Sequence, residues 1–204
     1  MKLGVLVSGK GSNLEALLTS EASGALRTET RVVISNVAGV RALEVAARAD
    51  KKNLVLTNES FSSREAFETA LVLQLREHGV EWVLLAGFNR LLTSTFLEAF
   101  PDRVVNIHPS LLPAFVGPLA IRQALRHGVR QTGVTLHLVD EGIDTGPILA
   151  QAPVPILDSD DESTLAARVH AVEHRLLVET LRRIVDKGFA LSRTSDRPRV
   201  VWND

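Results

Sequence analysis

Short β-branched or leucine-rich runs alternate along this chain with segments of helical apolar spacing, and no other feature limits its fold so strongly. The runs are "KLGVLVS" (2–8), "RVVISN" (31–36), "LVL" (54–56), "WVLLAG" (82–87) and "RVVNIH" (103–108). Between the first four lie "NLEALLTS" (13–20), "VRALEVAARAD" (40–50) and "SREAFETALVLQLREHG" (63–79), whose apolar residues recur at helical intervals. Strands that are apolar on both faces and linked by helices form βαβ units. The expected fold is α/β: an open, mostly parallel, twisted sheet with helices on both faces.

The texture changes after His108. "TGVTLHLVD" (132–140) and "PILAQAPVPIL" (147–157) are two extended runs joined by an acidic, glycine-bearing turn, which predicts an antiparallel pair added at the sheet edge on the C-terminal side. A long helix is expected from about Asp161 to Lys187, opened by the acidic "DSDDES". The last stretch, "RTSDRPRVVWND", reads as a surface tail. At 204 residues, with no repeat, linker or composition shift, one domain is expected over 1–204. Its two halves are about 1–100 and about 101–204.

"VLVSGKGSNLEALL" is strand, tight glycine turn, then helix. Glycines let a ligand approach the backbone, and a helix N-terminus adds partial positive charge, so this geometry suits a phosphate. Two better-known phosphate loops do not match. The dinucleotide fingerprint needs a third glycine where Leu14 stands, and its first, Gly4, falls inside the apolar strand; the Walker loop needs Ser or Thr where Gly11 stands. The plainer alternative is a βα turn shaped by Gly9 and Gly11, with Ser12 or Asn13 capping the helix.

Strand side chains alternate, so Asn106 and His108 share one face, and Pro109 ends the strand just beyond them. Ligands bind at the carboxyl ends of strands in open α/β sheets. There an amide and an imidazole can both donate to an oxygen that becomes negatively charged, and the imidazole can also move a proton. The loop "DEGIDTG" carries Asp140, Glu141 and Asp144 with two glycines and can bend a carboxylate toward an imidazole; spacing alone does not separate that from a solvated turn. Such a carboxylate is expected to raise the pKa of His108 and keep more of it protonated near neutrality.

In order and spacing, "SGKGSN" (8–13), "LAGFNRLL" (85–92), "NIHPSLLP" (106–113), "DEGIDTGPIL" (140–149) and "EH" (173–174) resemble the folate-dependent formyltransferase family across essentially the whole chain. "HPSLLP" with "DTGPI" is shared by the wider family, whereas "SGKGSN" resembles its glycinamide ribonucleotide branch. The resemblance implies a Rossmann-like fold and transfer of a formyl group from 10-formyltetrahydrofolate, a co-substrate, to the amine of glycinamide ribonucleotide in purine synthesis. It further implies that Asn106, His108 and Asp144 are catalytic. Gly11, Ser12 and Asn13 would cradle the phosphate and Glu173 would hold the ribose. Arg64, Phe88, Asn89, Arg90, Leu91 and Leu92 would line the folate side, joined by Asn106 and by Asp140, Glu141 and Asp144, whose loop holds the pterin. Methionyl-tRNA formyltransferases and formyltetrahydrofolate hydrolases look similar but carry an extra domain, for which 204 residues leave no room. Two departures stand out: Val116 to Leu119 where Pro-Gly-Leu-His is common, and Asn89 where an apolar residue is common.

Composition narrows the partners. Lys plus Arg (23) nearly cancels Asp plus Glu (24), which gives no electrostatic footprint for nucleic acid or an anionic membrane. The expected partners are small molecules, glycinamide ribonucleotide and a reduced folate. Zero cysteines exclude disulfides, thiolate zinc sites and a cysteine nucleophile. The N-terminal apolar run is too short for a signal peptide and no run approaches a membrane span, so the cytoplasm is the expected setting. No metal is expected, although "HAVEH" (170–174) has the H-x-x-E-H order of inverted zinc peptidases. The remaining rivals are a formyltransferase acting on an amino sugar nucleotide and a non-catalytic nucleotide-binding module. Oligomeric state is open.

Overall fold

The computed structural model describes residues 1–194 and 198–203. Seven strands form one sheet in the order β3-β2-β1-β4-β5-β6-β7, and a separate two-stranded sheet pairs β8 with β9. The chain divides into two compact units, Met1–Asn106 and Ile107–Asp204, with the division falling inside β5.

The first unit holds β1 (Lys2–Val7), α1 (Ser12–Ala22), β2 (Glu29–Ser35), α2 (Arg41–Arg48), β3 (Asn53–Val55), α3 (Arg64–Glu77), β4 (Trp82–Leu85), the short α4 (Ser94–Leu97) and the start of β5 (Val104–His108). β1 pairs with β2 and β4, β2 with β3, and β4 with β5, all parallel, as the alternation of strand and helix predicts. Leu3, Val5, Leu6 and Val7 are buried along consecutive positions because helices cover both faces. Gly4 has a packing reason rather than a ligand reason: a Cβ there would lie 2.3 Å from the Leu75 side chain of α3. That helix starts where the Ser63 hydroxyl accepts from the Ala66 N–H, and it buries Phe67, Leu71, Val72 and Leu75.

The second unit carries the end of β5, α5 (Ala120–Arg126), β6 (Gln131–Leu138), β7 (Ile148–Pro155), α6 (Glu162–Lys187), β8 (Phe189–Ser192) and β9 (Arg199–Trp202). β6 and β7 pair antiparallel from Gln131 opposite Pro155 to His137 opposite Ile148, as expected for the sheet edge. Asp161 opens α6 through a capping box with Thr164. One expectation needs refining: the stretch read as a surface tail contributes a strand, β9, which pairs antiparallel with β8 just before it. Trp202 explains this, since its ring packs edge-on against Phe189 and under the Arg183 guanidinium of α6, 4.1 Å away. Residues 195–197 and 204 of that stretch lie outside the described residues. No helix among the described residues is long and apolar enough to cross a membrane.

Candidate active site

The residues singled out by the sequence fall in both units, so each unit's share is built up in turn. In the second, His108 ends β5 and is only 4% exposed. Its Nδ1 faces Asp144 Oδ2 at 3.4 Å, and its Nε2 lies 2.9 Å from the Phe115 carbonyl oxygen, which can only accept. Asn106, the last residue of the first unit and half-buried, stands two residues earlier on β5, where strand alternation puts it on the same face of that strand.

Asp144 reaches His108 because its loop is folded by its own residues. Asp140 accepts from the Gly142 N–H and the Thr145 hydroxyl, so its side chain ties the turn. A Cβ on Gly142 would meet the Thr145 hydroxyl at 2.0 Å, and one on Gly146 would meet the Leu138 carbonyl at 1.9 Å. Asp144 itself has φ 56, a left-handed conformation that suits Asp better than most residues. Glu141 is exposed. The three carboxylates thus divide their work: one builds the loop, one faces solvent and one turns inward.

Asp144 faces a second imidazole as well. His137 of β6 is buried, puts Nε2 3.6 Å from Asp144 Oδ1 and holds Nδ1 2.8 Å from the Leu138 carbonyl, while the Gly117 N–H donates to Asp144 Oδ2 at 2.9 Å. Burial pushes the Asp144 carboxyl up, but His137, the Gly117 N–H and the charge of His108 together bring it down to about 2. The carboxylate is therefore ionised at any ordinary pH. Two acceptors face the two nitrogens of His108, an arrangement that only the imidazolium satisfies in full. Burial nevertheless lowers its pKa below the usual histidine value, outweighing the Phe115 carbonyl and Asp144, and His137 lowers it further. Asp144 pushes the His108 pKa up, the direction expected of it, but desolvation is larger and the net shift is downward.

The turn after His108 is held by residues that sequence reasoning missed. The Thr135 hydroxyl donates to the Ser110 carbonyl and accepts from the Leu112 N–H, and the Gln151 amide donates to both the Leu112 carbonyl and the Thr135 oxygen. A polar residue inside an otherwise apolar strand, like Thr135 or His137 in "GVTLHLVD", was the available signal.

In the first unit, Gly11 is the N-cap of α1 with φ 75 and no side-chain cap, so the alternative of Ser12 or Asn13 as the cap does not hold. A Cβ on Gly11 would lie 2.7 Å from the Ala42 Cα, because α2 approaches the turn closely. The Ala42 N–H donates to the Gly9 carbonyl and the Arg41 guanidinium to the Lys10 carbonyl, so the peptide carbonyls are drawn toward α2. A helix N-terminus without a side-chain cap is able to receive an anion through its backbone N–H groups.

Phe88, Asn89, Arg90, Leu91 and Leu92 follow β4 in one loop. Phe88 and Leu92 are buried, Leu91 is exposed, and the Arg90 guanidinium lies 5.9 Å from the Phe67 ring centre. Arg64 braces this loop by donating to the Leu91 carbonyl and to Glu68. Glu68, 1% exposed, accepts from the Thr93 N–H and hydroxyl. Glu173 is buried on α6 in the other unit.

A profile of the formyl transferase family matches residues 1–181. The chain is 42% identical over 202 residues to the phosphoribosylglycinamide formyltransferase of Mycobacterium tuberculosis, covering 98% of this chain and 93% of that protein. It is 46% identical over 175 residues to the trifunctional purine biosynthetic protein adenosine-3 of Drosophila pseudoobscura pseudoobscura, covering 85% of this chain. It spans only 13% to 15% of the length of that protein and two other insect trifunctional relatives. The crystal structure of glycinamide ribonucleotide transformylase 1 from Symbiobacterium toebii superimposes with a TM-score of 0.94 at 44% identity, covering 100% of this chain and 94% of that one.

Proposed function

The chain belongs to the formyl transferase family, and from that premise we propose that it transfers the formyl group of 10-formyltetrahydrofolate to the amine of glycinamide ribonucleotide, a step of purine synthesis. The observation that carries the reading is the buried His108, two residues after Asn106 on one strand and paired with an ionised Asp144. The cytoplasm is the setting we read for it.

In this reading the neutral amine attacks the formyl carbon, a carbon–nitrogen bond forms and the carbonyl oxygen becomes an oxyanion. The Asn106 amide and a His108 N–H donate to that oxygen. Because an anion beside the ring raises its proton affinity, His108 holds its proton more tightly once the oxyanion exists, so the pair stabilises the transition state more than the ground state. Asp144 supports the same charge from the other side of the ring. The Nε2 N–H that faces the Phe115 carbonyl exchanges that acceptor for the substrate oxygen. The intermediate then collapses: the bond from the formyl carbon to folate N10 breaks, and the proton lost by the amine passes to N10 through water.

Gly11, Ser12 and Asn13 receive the phosphate on the N-terminus of α1, and Glu173 accepts from the ribose hydroxyls. Arg64 and the loop from Phe88 to Leu92 form the folate side, and the Asp140–Asp144 turn holds the pterin through its backbone. The deciding experiment offers the purified protein 10-formyltetrahydrofolate with glycinamide ribonucleotide, amino sugar nucleotides and simple amines. Formyl transfer confined to glycinamide ribonucleotide is expected. Transfer to an amino sugar nucleotide instead, or no turnover despite nucleotide binding, overturns the reading.

A further inference from the structure

The β1–β4 ladder runs from Leu3 opposite Trp82 to Leu6 opposite Leu85 and continues through the Ala86 N–H to the Leu6 carbonyl. It closes with the Ser8 N–H donating to the Gly87 carbonyl at 3.0 Å. Gly87 then takes φ 75 and turns the chain out of the sheet, which takes the Asn89 N–H off the ladder. The Ser8 hydroxyl oxygen accepts it at 2.9 Å. The same hydroxyl donates at 2.6 Å to Asn36 Oδ1, at the end of β2. Ser8 is 9% and Asn36 7% exposed, so water does not readily replace either bond. One buried hydroxyl therefore joins the strand end that launches the Gly9–Gly11 turn, the end of β2, and the backbone of the loop that begins at Phe88.

We propose that Ser8 is a positioning residue, shared by the phosphate turn and the folate-side loop, that fixes both through its single hydroxyl. The proposal rests on the ribonucleotide and folate assignments made above. Ser8 touches no reacting atom, and its effect runs through the backbone at Gly9 and at Asn89. Asn36 has a narrower part. It receives the Ser8 proton and so anchors the turn side, while the bond from the Asn89 N–H to Ser8 needs only the hydroxyl oxygen.

This division gives a pattern that loss of general stability does not produce. Isothermal titration of wild type, Ser8→Ala and Asn36→Ala is carried out with glycinamide ribonucleotide alone and with a formyl-folate analogue that cannot release its formyl group. Ser8→Ala is expected to weaken both ligands, each by roughly tenfold, the effect of one lost buried hydrogen bond. Asn36→Ala is expected to weaken the ribonucleotide while leaving the folate analogue within about twofold. Turnover at saturating substrates falls by no more than about threefold in either variant, since the interactions at His108 are intact. Thermal melting separates folding from binding: with both variants folded at the titration temperature, unchanged folate affinity in Ser8→Ala overturns the proposal. Equal weakening of both ligands in Asn36→Ala overturns it too. A wild type that binds neither ligand removes the assignments beneath it, a result distinguishable from both.

Discussion

Asn106 and His108 leave one face of β5, yet their contributions are of different kinds. In the proposed transfer Asn106 is a neutral donor whose value lies in the transition state, so Asn106→Ala is expected to lower kcat by roughly 10²-fold or more with little change in substrate affinity; unchanged kcat with raised KM values rules that role out. His108 is governed by opposing causes, burial lowering its pKa and Asp144 raising it. Asp144→Asn removes one of the two raising influences and leaves the Phe115 carbonyl, so NMR titration of the ring is expected to show a further fall, with lower turnover at neutral pH although both substrates bind. Coincident titration curves in wild type and variant rule out this tuning. Asp144 also carries a stability consequence. Its carboxyl is held at about 2 against an ordinary 3.8, so the stability it contributes is fully present above 3.8 and is lost as pH falls through about 2. Urea unfolding of Asp144→Asn should therefore show a stability deficit at pH 7 that narrows toward pH 2. His108 and Asp144 were legible because both stand in short motifs. Gln151 and Ser8 were not read, because each finds its partner far along the chain, and Thr135 and His137 show only as polar residues inside an apolar strand, which names no partner.

At the scale of elements, the glycine turn between β1 and α1 puts a packing constraint on the residue that the proposed phosphate cradle also uses. Gly11 needs φ 75, and the Ala42 Cα lies 2.7 Å from where a Cβ would stand. Gly11→Val therefore strains the backbone and pushes α2 away, and it is expected to weaken ribonucleotide binding far more than folate binding. Titration showing the reverse order counts against the cradle. The alternation of strands and helices made the first unit readable almost to its element ends, because strands apolar on both faces leave few other folds open. The misses have physical reasons. α4 and α5 are only four and seven residues long, too short to show a periodicity. The β8–β9 pair depends on Trp202 meeting Phe189 and Arg183, contacts that no local pattern announces. The capping box of α6 was foreshadowed by its acidic approach, and Asp161 marks the helix start as expected.

At the scale of the whole molecule, charge and ligand chemistry decide which functions are open. A net charge of −1 over 204 residues leaves anionic substrates to be held by local backbone donors and individual side chains rather than by a general field. A metal would change that balance, and the sequence offers one candidate in "HAVEH". His170 and His174 are four apart on α6 and share a face, with Glu173 buried beside them. A catalytic zinc takes three protein ligands in open tetrahedral geometry, and a helix face supplies two, so a third must come from elsewhere. No group of three His, Cys, Asp or Glu side chains able to hold a metal occurs among the described residues, and the chain has no cysteine. The formyl transfer set out above relies on hydrogen-bond donors at the oxyanion and needs no Lewis acid to reach its transition state. Dialysis against a strong chelator is therefore expected to leave turnover with glycinamide ribonucleotide unchanged, and elemental analysis to find far less than one zinc per chain. His170→Ala, which removes half of the candidate pair, should leave the residual metal content unaltered. Stoichiometric zinc, lost to the chelator together with activity and restored by adding the metal back, would show that α6 holds a catalytic ion and that Asn106 and His108 act beside it rather than alone.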